Sequence, residues 1–306
     1  MSLLVAVTGR NNEKLIAKLQ SLLPNEQVVE WGKDVTTCEV EFVLAWNPPS
    51  DLWKRLPNLK AISSYGAGVD TLLAQPELPD VPVARIVDPN LAVSMSEYVL
   101  HAIGHFKLRF NQYLNNKNEL LWKPRRVKAG NKVGILGLGQ LGKQVAVKLK
   151  DLGYEVSGWS NSPKTIAGVS CFSGEKELTT MLESLDYVVC LLPLTENTQG
   201  ILNKSLFDKL PQGAVLINVA RGDHLNEADL LSALESGQLA GAALDVFSTE
   251  PLPATHPFWQ QQNILLTPHV SAVTSVETAS EQVAQNYHRV KQGQAIHHAV
   301  NQKVGY

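Results

Sequence analysis

Residues 132–151 read KVGILGLGQLGKQVAVKLKD, and the organisation of the chain is best explained from this stretch. It opens with a short apolar run at 133–136, which is typical of a buried parallel strand. Apolar residues then recur four positions apart, at Leu141, Val145 and Leu149, and this spacing places them on one side of a helix. A glycine-rich turn therefore joins a predicted strand to a predicted helix.

The glycines of this turn follow the pattern G-x-G-x-x-G. Gly137 would permit a tight turn, Gly139 would let the backbone approach a pyrophosphate, and Gly142 would let the helix lie close to the strand. The helix N-terminus would offer its N–H groups and the positive end of its dipole to the phosphates. Because a strand and a helix flank the glycines, we predict a dinucleotide site formed by Gly137, Gly139, Gln140, Leu141 and Gly142.

Length and composition predict a globular protein. The chain has 306 residues, enough for two ordinary domains with sizeable cores. Hydrophobic residues make up 44% and charged residues 18%, and the formal net charge is −2. Because the chain has no basic block or tail, we expect neither nucleic acid nor an anionic membrane as its main partner.

The cysteines and the N-terminal residues predict a cytoplasmic protein. Cys38, Cys171 and Cys190 are odd in number and show no C-x-x-C spacing, so we expect no disulfide framework and no metal site. The apolar run at 3–7 is too short for a signal peptide, and no run reaches membrane-spanning length.

Predicted strands alternate with helical patterns along the chain. The strands are predicted at 3–7, 42–46, 61–64, 82–87, 133–136, 154–159, 187–192, 214–219, 242–246 and 264–267. The longest helical patterns cover 94–118 and 275–291. This alternation predicts the α/β class with mostly parallel sheets.

The order of these elements predicts two Rossmann-like, doubly wound domains, the nucleotide-binding one inserted into the substrate-binding one. The closing helix lies beyond the last strand of the second unit, so we expect it to cross back to the first. The predicted boundaries are 1–95 for the first part of the substrate-binding (catalytic) domain, 96–274 for the NAD(P)-binding Rossmann domain, and 275–306 for a C-terminal helix and tail that return to the substrate-binding domain.

Three residues with acid–base or anion-binding chemistry stand after predicted strands. Arg221 and His269 follow strands closely, and Glu250 lies in the loop after another. Ligands of open α/β sheets bind at the carboxyl ends of strands, which gives these positions functional weight. Taken singly, each also has a structural interpretation: a surface ion pair for the Arg, a loop residue for the Glu and a turn residue for the His.

Together, the three residues fit the reduction of a 2-keto acid. A guanidinium can hold the substrate carboxylate and polarise the carbonyl with its planar fork of donors. Histidine is a general acid that titrates near neutral pH, and a carboxylate partner would orient the imidazole and favour its protonated form. We therefore treat Arg221, Glu250 and His269 as the candidate catalytic residues.

The sequence resembles the D-isomer-specific 2-hydroxyacid dehydrogenase family. The motifs that carry the resemblance are GLGQLG at 137–142, NVARG at 218–222, ALDVF with EPLP at 243–253, and TPHVSA at 267–272. Within the family, the chain most resembles the glyoxylate/hydroxypyruvate reductase A branch, through WNPP at 46–49, YGAGVD at 65–70, MSEYVL at 95–100 and HPFW at 256–259. The resemblance covers nearly the whole chain.

The resemblance implies roles for the candidate residues. Arg221 would hold the substrate carboxylate and carbonyl, His269 would donate a proton to the carbonyl oxygen, and Glu250 would pair with His269. Backbone N–H groups of Ala67 and Gly68 would bind the substrate carboxylate.

The resemblance also implies contacts with the cofactor. Asp245 would lie near the nicotinamide carboxamide, as would the backbone of Val219 and Ala220. Leu192 and Pro193 would form a loop over the adenosine side.

The end of the second predicted strand favours NADP(H) over NAD(H), although NAD(H) use stays possible. NAD-specific sites place an Asp or Glu about 20 residues beyond the glycine turn, to bind the ribose hydroxyls. No carboxylate stands there in this chain. Ser160, Asn161 and Ser162 could donate hydrogen bonds to a 2′-phosphate, and Lys164 could supply a positive charge.

The leading prediction is an NADPH-dependent reductase that converts glyoxylate or hydroxypyruvate to glycolate or D-glycerate. One alternative is a bulkier 2-keto acid such as phenylpyruvate. The resemblance places Trp46 in the pocket wall. Together with three other aromatic residues it could enclose a small pocket or accept an aromatic substrate; these are Tyr65, Phe258 and Trp259. The other alternative is a dinucleotide-sensing binding protein, since one fold can serve both functions. The lack of extra tails for partner recruitment argues against it.

A polar, basic stretch at 122–130 is predicted to form a loop or arm after the long helix. Its start, LLWKP at 120–124, carries apolar residues that a surface loop does not need. We therefore predict a two-fold homodimer in which helix and arm pack against a second copy. The alternative is a flap that folds back on its own chain.

Overall fold

The computed structural model describes residues 2–33 and 37–302, and the chain divides into two compact units. The first unit is formed by the chain up to Asn90 together with the chain from Thr274 onward, and the second is Leu91–Val273. Residues 303–306, the end of the predicted C-terminal tail, lie outside the described residues.

The strands and helices alternate along the chain. The strands are β1 Ser2–Val7, β2 Gln27–Glu30, β3 Val40–Trp46, β4 Ala61–Ser64, β5 Val83–Ala84, β6 Lys132–Leu136, β7 Glu155–Ser160, β8 Ser170–Ser173, β9 Tyr187–Cys190, β10 Ala214–Asn218, β11 Leu239–Leu244 and β12 Ile264–Leu266. The helices are α1 Glu13–Leu22, α2 Asp70–Leu73, α3 Pro89–Lys107, α4 Phe110–Asn118, α5 Gln140–Asp151, α6 Gly174–Leu182, α7 Lys204–Phe207, α8 Glu227–Glu235 and α9 Val276–Lys291.

The first unit is built on a five-stranded parallel sheet in the order β2-β1-β3-β4-β5. All six residues of β1 are buried, as expected of a strand covered on both faces. Leu19 of α1 and Val283 and Tyr287 of α9 pack into one core cluster with strand residues such as Phe42. The C-terminal helix therefore belongs to the first unit, and the second unit is inserted into it.

The second unit contains a seven-stranded parallel sheet in the order β12-β11-β10-β9-β6-β7-β8. Hydrophobic clusters lie on both faces, one with α3 and α5 and the other with α6, α7 and α8. The strand order changes direction between β6 and β9, because β7 and β8 follow on one side of β6 and β9 to β12 on the other. Doubly wound sheets bind ligands at such a point. The predicted fold class, two doubly wound parallel α/β units with one inserted, is confirmed.

The structure corrects the prediction of one unbroken helix over 94–118. The chain forms α3 and α4 instead, and Arg109 between them has a left-handed backbone with φ of 62°. The Arg109 side chain donates to the carbonyl of Arg126, so the break is held by a contact distant in sequence. Helical periodicity alone carries no signal of such a contact.

Two edge strands were not predicted, and one predicted strand is shorter than expected. β2 has one buried residue, Val28, and β8 has none, so neither shows the apolar run of a central strand. The strand predicted at 82–87 is limited to β5, which pairs with β4 through two residues. Among the described residues, no helix is both long and apolar enough to cross a membrane.

Candidate active site

The glycine turn after β6 has the geometry of a dinucleotide site. A Cβ on Gly137, whose φ is +106°, would lie 2.6 Å from the Leu191 carbonyl oxygen, and one on Gly142 would lie 1.8 Å from the Gly137 oxygen. The fold itself therefore requires these two glycines. Around Gly139 no chain atom lies within 4 Å of the Cβ position, and no side chain caps the first N–H groups of α5. The residues present therefore fit a pyrophosphate held by backbone N–H groups of Gln140 and Leu141.

The turn after β7 presents neutral donors and one lysine. The hydroxyl of Ser160 is buried and donates to the Ser162 carbonyl oxygen at 2.8 Å, so its proton serves to shape the turn. Asn161, Ser162 and Lys164 are exposed. No Asp or Glu occurs in this turn, which is the feature that separates an NADP site from an NAD site.

The loop after β9 is shaped by polar contacts to one carbonyl. The Pro193 oxygen accepts a hydrogen bond from the Thr198 hydroxyl at 2.7 Å and lies 3.3 Å from Nε2 of His224. Leu192 is buried and Pro193 is exposed. The predicted contact of these two residues with the adenosine side of the cofactor stays a prediction.

The sheet brings the three candidate catalytic residues to one edge. Arg221 follows β10, Glu250 lies in the loop after β11 and His269 follows β12. These three strands are consecutive neighbours in the parallel sheet, so their carboxyl ends lie side by side.

The side chains of His269 and Glu250 contact each other. Nδ1 of His269 lies 2.9 Å from Oε2 of Glu250, while Oε1 of Glu250 accepts the backbone N–H of Phe247 at 3.0 Å. The side chains of His269 and Glu250 are 37% and 36% exposed. Because Nδ1 is hydrogen-bonded to Glu250, the other ring nitrogen, Nε2, is the one that can contact a ligand.

The surroundings of Glu250 favour its ionised form. Burial alone would raise the pKa of Glu250, but the hydrogen bonds from His269 and from the Phe247 N–H and the positive charge of Arg221 outweigh burial, so its pKa lies below the ordinary value. Ionised Glu250 therefore contributes stability that is fully present above the ordinary carboxyl pKa and is lost as the pH falls through its lowered pKa.

The turn that carries Arg221 packs directly against the loop that carries Glu250. A Cβ on Gly222 would lie 1.9 Å from the Phe247 carbonyl carbon, so only glycine allows this approach. Nη1 of Arg221 donates to the carbonyl of Ala220 at 2.7 Å, which orients the guanidinium along its own turn.

Asp245 is fully buried and anchors the segment that carries His269. Its Oδ1 accepts the Thr267 hydroxyl at 2.6 Å and the Val270 N–H at 2.8 Å, and its Oδ2 accepts the Ser271 N–H at 2.8 Å. The His269 N–H donates to the Asp245 carbonyl oxygen at 2.8 Å. The structure thus shows a structural role for Asp245, and the predicted nicotinamide contact stays a prediction, as do those of the Val219 and Ala220 backbone.

Two supporting residues were missed by sequence reasoning. The Tyr98 hydroxyl lies 2.6 Å from the Thr267 hydroxyl, and burial raises the pKa of Tyr98 to about 12. Glu227 contacts both sides of the Glu250 loop, through the Ser248 hydroxyl at 3.1 Å and Nε2 of His256 at 3.0 Å. Tyr98 stands in the MSEYVL motif, but Glu227 stands in none of the quoted motifs, and only its partner His256 does, in HPFW.

The predicted substrate-binding residues of the first unit lie at the carboxyl edge of its sheet. Trp46 ends β3, and its ring packs so closely on Gly66 that a Cβ there would lie 2.4 Å from it. The Ser64 hydroxyl donates to the Gly68 carbonyl oxygen at 3.0 Å and shapes the loop that contains Ala67. Their contact with substrate stays a prediction.

Of the other aromatic residues considered for a pocket wall, two are core residues. Tyr65 is 3% exposed and Phe258 is 1% exposed, and each packs in the hydrophobic core of its own unit. Trp259 is 52% exposed. Among the described residues, no group of three or more His, Cys, Asp or Glu side chains is placed to hold a metal ion.

Comparison with known proteins identifies the family. Residues 100–271 match the family described as "D-isomer specific 2-hydroxyacid dehydrogenase, NAD binding domain". The chain is 41% identical to the glyoxylate/hydroxypyruvate reductase A of Serratia proteamaculans, over 97% of both chains, and 40% identical to that of Yersinia enterocolitica, over 91% of both. The chain belongs to the D-isomer-specific 2-hydroxyacid dehydrogenase family and is an oxidoreductase, as the sequence predicts.

Solved structures agree with this assignment. The chain superposes with a TM-score of 0.93 on an NADPH-dependent glyoxylate/hydroxypyruvate reductase of Sinorhizobium meliloti, solved with NADP and sulfate. The two are 35% identical, and the match covers 100% of both chains. The chain also superposes, with a TM-score of 0.93, on a D-isomer-specific 2-hydroxyacid dehydrogenase of Xanthobacter autotrophicus Py2 in complex with NADPH and MES. These two chains are 37% identical, and the match covers 100% of this chain and 99% of the other.

The contact between His269 and Glu250 predicts a specific pH dependence. A proton donor at His269 would have to be protonated in the reducing direction, so we expect kcat/KM to fall at high pH. Glu250→Gln removes the anion that stabilises the imidazolium, and we expect this alkaline fall to begin at lower pH. Glu235→Gln, an exposed carboxylate at the end of α8, is the matched control. An unchanged pH profile in Glu250→Gln would contradict the pairing role.

Proposed function

We propose that the protein reduces glyoxylate or hydroxypyruvate to glycolate or D-glycerate with NADPH. The observation that carries the proposal is the His269–Glu250 pair with Arg221 at three neighbouring strand ends, on the sheet that also bears the glycine turn. The relatives named above as glyoxylate/hydroxypyruvate reductases support the choice of substrate.

The residues divide the reduction between binding and proton transfer. When bound, the cofactor supplies the hydride that goes to the carbonyl carbon. Arg221 holds the substrate carboxylate through paired donors and polarises the carbonyl. Nε2 of His269 donates the proton to the carbonyl oxygen, and Glu250 holds the ring and stabilises its protonated form. Hydride and proton together convert the keto group to a hydroxyl.

The second unit provides the cofactor site in this proposal. Backbone N–H groups at the start of α5 hold the pyrophosphate, and Gly139 allows its close approach. Asn161 and Ser162 donate to the 2′-phosphate, and Lys164 adds a screened positive charge. The crystals of two relatives with NADPH or NADP support this preference.

The first unit, together with its C-terminal helix, is the substrate-binding domain in this proposal. Ala67 and Gly68 offer N–H groups to the carboxylate, and Trp46 forms part of the pocket wall. Burial of Tyr65 and Phe258 in their cores reduces the aromatic surface that a phenylpyruvate-like substrate would need. Cys38, exposed and without a disulfide partner, fits a reducing compartment, and we place the protein in the cytoplasm.

Steady-state kinetics with both cofactors test the proposal. We expect kcat/KM to be higher with NADPH than with NADH, and higher with glyoxylate or hydroxypyruvate than with phenylpyruvate. Lys164→Ala should lower kcat/KM for NADPH about two- to fivefold, the range of an exposed ion pair, and leave NADH use unchanged. Lys148→Ala, an exposed lysine on α5, is the control. Equal or better use of NADH by the wild type would refute the cofactor choice, and no turnover of any 2-keto acid would favour a sensing protein.

The second unit also carries surfaces that fit a homodimer. At the tip of the predicted arm, Leu120 is 92% exposed and Trp122 is fully exposed. The arm beyond this tip contacts its own chain. The Arg125 N–H donates to the Tyr113 hydroxyl at 3.0 Å, and the Lys128 N–H donates to the Lys107 carbonyl oxygen at 2.9 Å. An apolar cavity of about 610 Å³ lies along α3, lined by residues such as Leu108 and Phe110. Exposed apolar surface of this kind marks an interaction site, and we propose a two-fold dimer.

Sedimentation at micromolar concentration tests the dimer. We expect twice the chain mass for the wild type, and a shift toward the chain mass for Trp122→Ser, because a polar side chain removes the apolar contact. Leu152→Ser changes a half-exposed apolar residue directly after α5 and should leave the mass unchanged. A wild-type protein that sediments as a monomer would end this proposal.

A further inference from the structure

His224 is a fully buried histidine in the turn after β10, and no motif or mechanism described above assigns it a role. Its ring lies between two loops. Nδ1 accepts the backbone N–H of Arg221 at 3.2 Å, and Nε2 lies 3.3 Å from the carbonyl oxygen of Pro193. The ring therefore links the residue that would bind substrate to the loop that would cover the cofactor.

The partners fix the tautomer of this ring. A carbonyl oxygen can only accept, so Nε2 must carry the proton that faces Pro193. Nδ1 is then the acceptor, as the Arg221 N–H requires. Nδ1 also lies 3.2 Å from the Arg221 carbonyl oxygen, but that oxygen already accepts the Asn218 side-chain amide at 2.9 Å and the His224 N–H at 3.3 Å. A ring with its proton on Nε2 satisfies both the Arg221 N–H and the Pro193 carbonyl oxygen.

Backbone contacts join the same two segments farther from Arg221. The Gly200 N–H donates to the Asp223 carbonyl oxygen and the Leu202 N–H to the His224 carbonyl oxygen, both at 2.8 Å. These bonds hold the segments together but reach neither Arg221 nor Pro193. The imidazole contacts both of these residues.

We infer that His224 is a positioning residue with two separable links: Nδ1 sets the backbone of Arg221 for substrate, and Nε2 sets the Pro193 loop for cofactor. It takes no part in proton transfer, because both nitrogens are used within the chain. The inference rests on the proposed function for the identity of the two ligands. The links themselves are properties of the turn.

Two near-isosteric substitutions separate the links. In His224→Asn the side-chain oxygen can occupy the place of Nδ1 and still accept from Arg221, but nothing reaches Pro193. In His224→Gln the amide nitrogen can reach the place of Nε2 and still donate to Pro193, but the acceptor for Arg221 is lost. His224→Ala removes both links.

We expect each of the two variants to weaken the binding of a different ligand. For His224→Asn the dissociation constant of NADPH rises about three- to tenfold while the KM for glyoxylate stays near the wild-type value, the size of effect that one lost hydrogen bond gives. For His224→Gln the KM for glyoxylate rises by a similar factor and the NADPH dissociation constant stays unchanged. His224→Ala shows both effects. Equal changes in the Asn and Gln variants, or none in either, would overturn the inference, because a purely structural role does not distinguish the two.

NADPH binding and glyoxylate turnover are measured separately, so failure of this inference can be told apart from failure of the proposed function. NADPH binding is measured by fluorescence without substrate, so it reports on the Pro193 link even if glyoxylate proves not to be turned over. Should the variants fail to fold, ¹⁵N NMR of the wild type provides a second measurement. The spectrum should show a histidine at neutral pH with its proton on Nε2 and a hydrogen-bonded Nδ1. Assignment of the proton to Nδ1 of His224 would also overturn the inference.

Discussion

The buried carboxylate of Asp245 is the constraint on which the catalytic edge depends. A carboxylate without hydrogen bonds would be very costly in the interior, so its acceptors must be filled. The donors come from Thr267, Val270 and Ser271, which bracket His269 on both sides. The segment 267–271 therefore wraps the Asp245 carboxylate with its donors. Within this segment His269 has a left-handed backbone conformation with φ of 55°. From this position its ring reaches Glu250.

Sheet topology converts this local constraint into a site. Because β10, β11 and β12 are adjacent and parallel, residues distant in sequence arrive at one edge in a fixed order. The close contact of Gly222 with Phe247 then sets the Arg221 turn against the Glu250 loop. The charge of Arg221 contributes to the lowered pKa of Glu250, so the three residues form one electrostatic unit.

The fold class and the candidate catalytic residues could be predicted from sequence because their signals are local. Central strands are continuous apolar runs, the glycine turn has a fixed spacing, and Arg221 and His269 follow strands directly. The break at Arg109 could not be predicted, since it depends on a bond to Arg126, and edge strands such as β2 carry too little apolar pattern. His224 was missed for a similar reason: its role arises from a carbonyl 31 residues away in the chain.

We propose His269 as the proton donor in the reduction of a 2-keto acid, and the His269→Ala variant tests this role. The variant should reduce glyoxylate with NADPH about 10²–10⁴-fold more slowly in kcat, the effect of losing a general acid, while its NADPH affinity stays close to that of the wild type. His288→Ala, an exposed histidine on α9, should behave as the wild type does. A His269→Ala protein with near-normal kcat would show that His269 is not the proton donor.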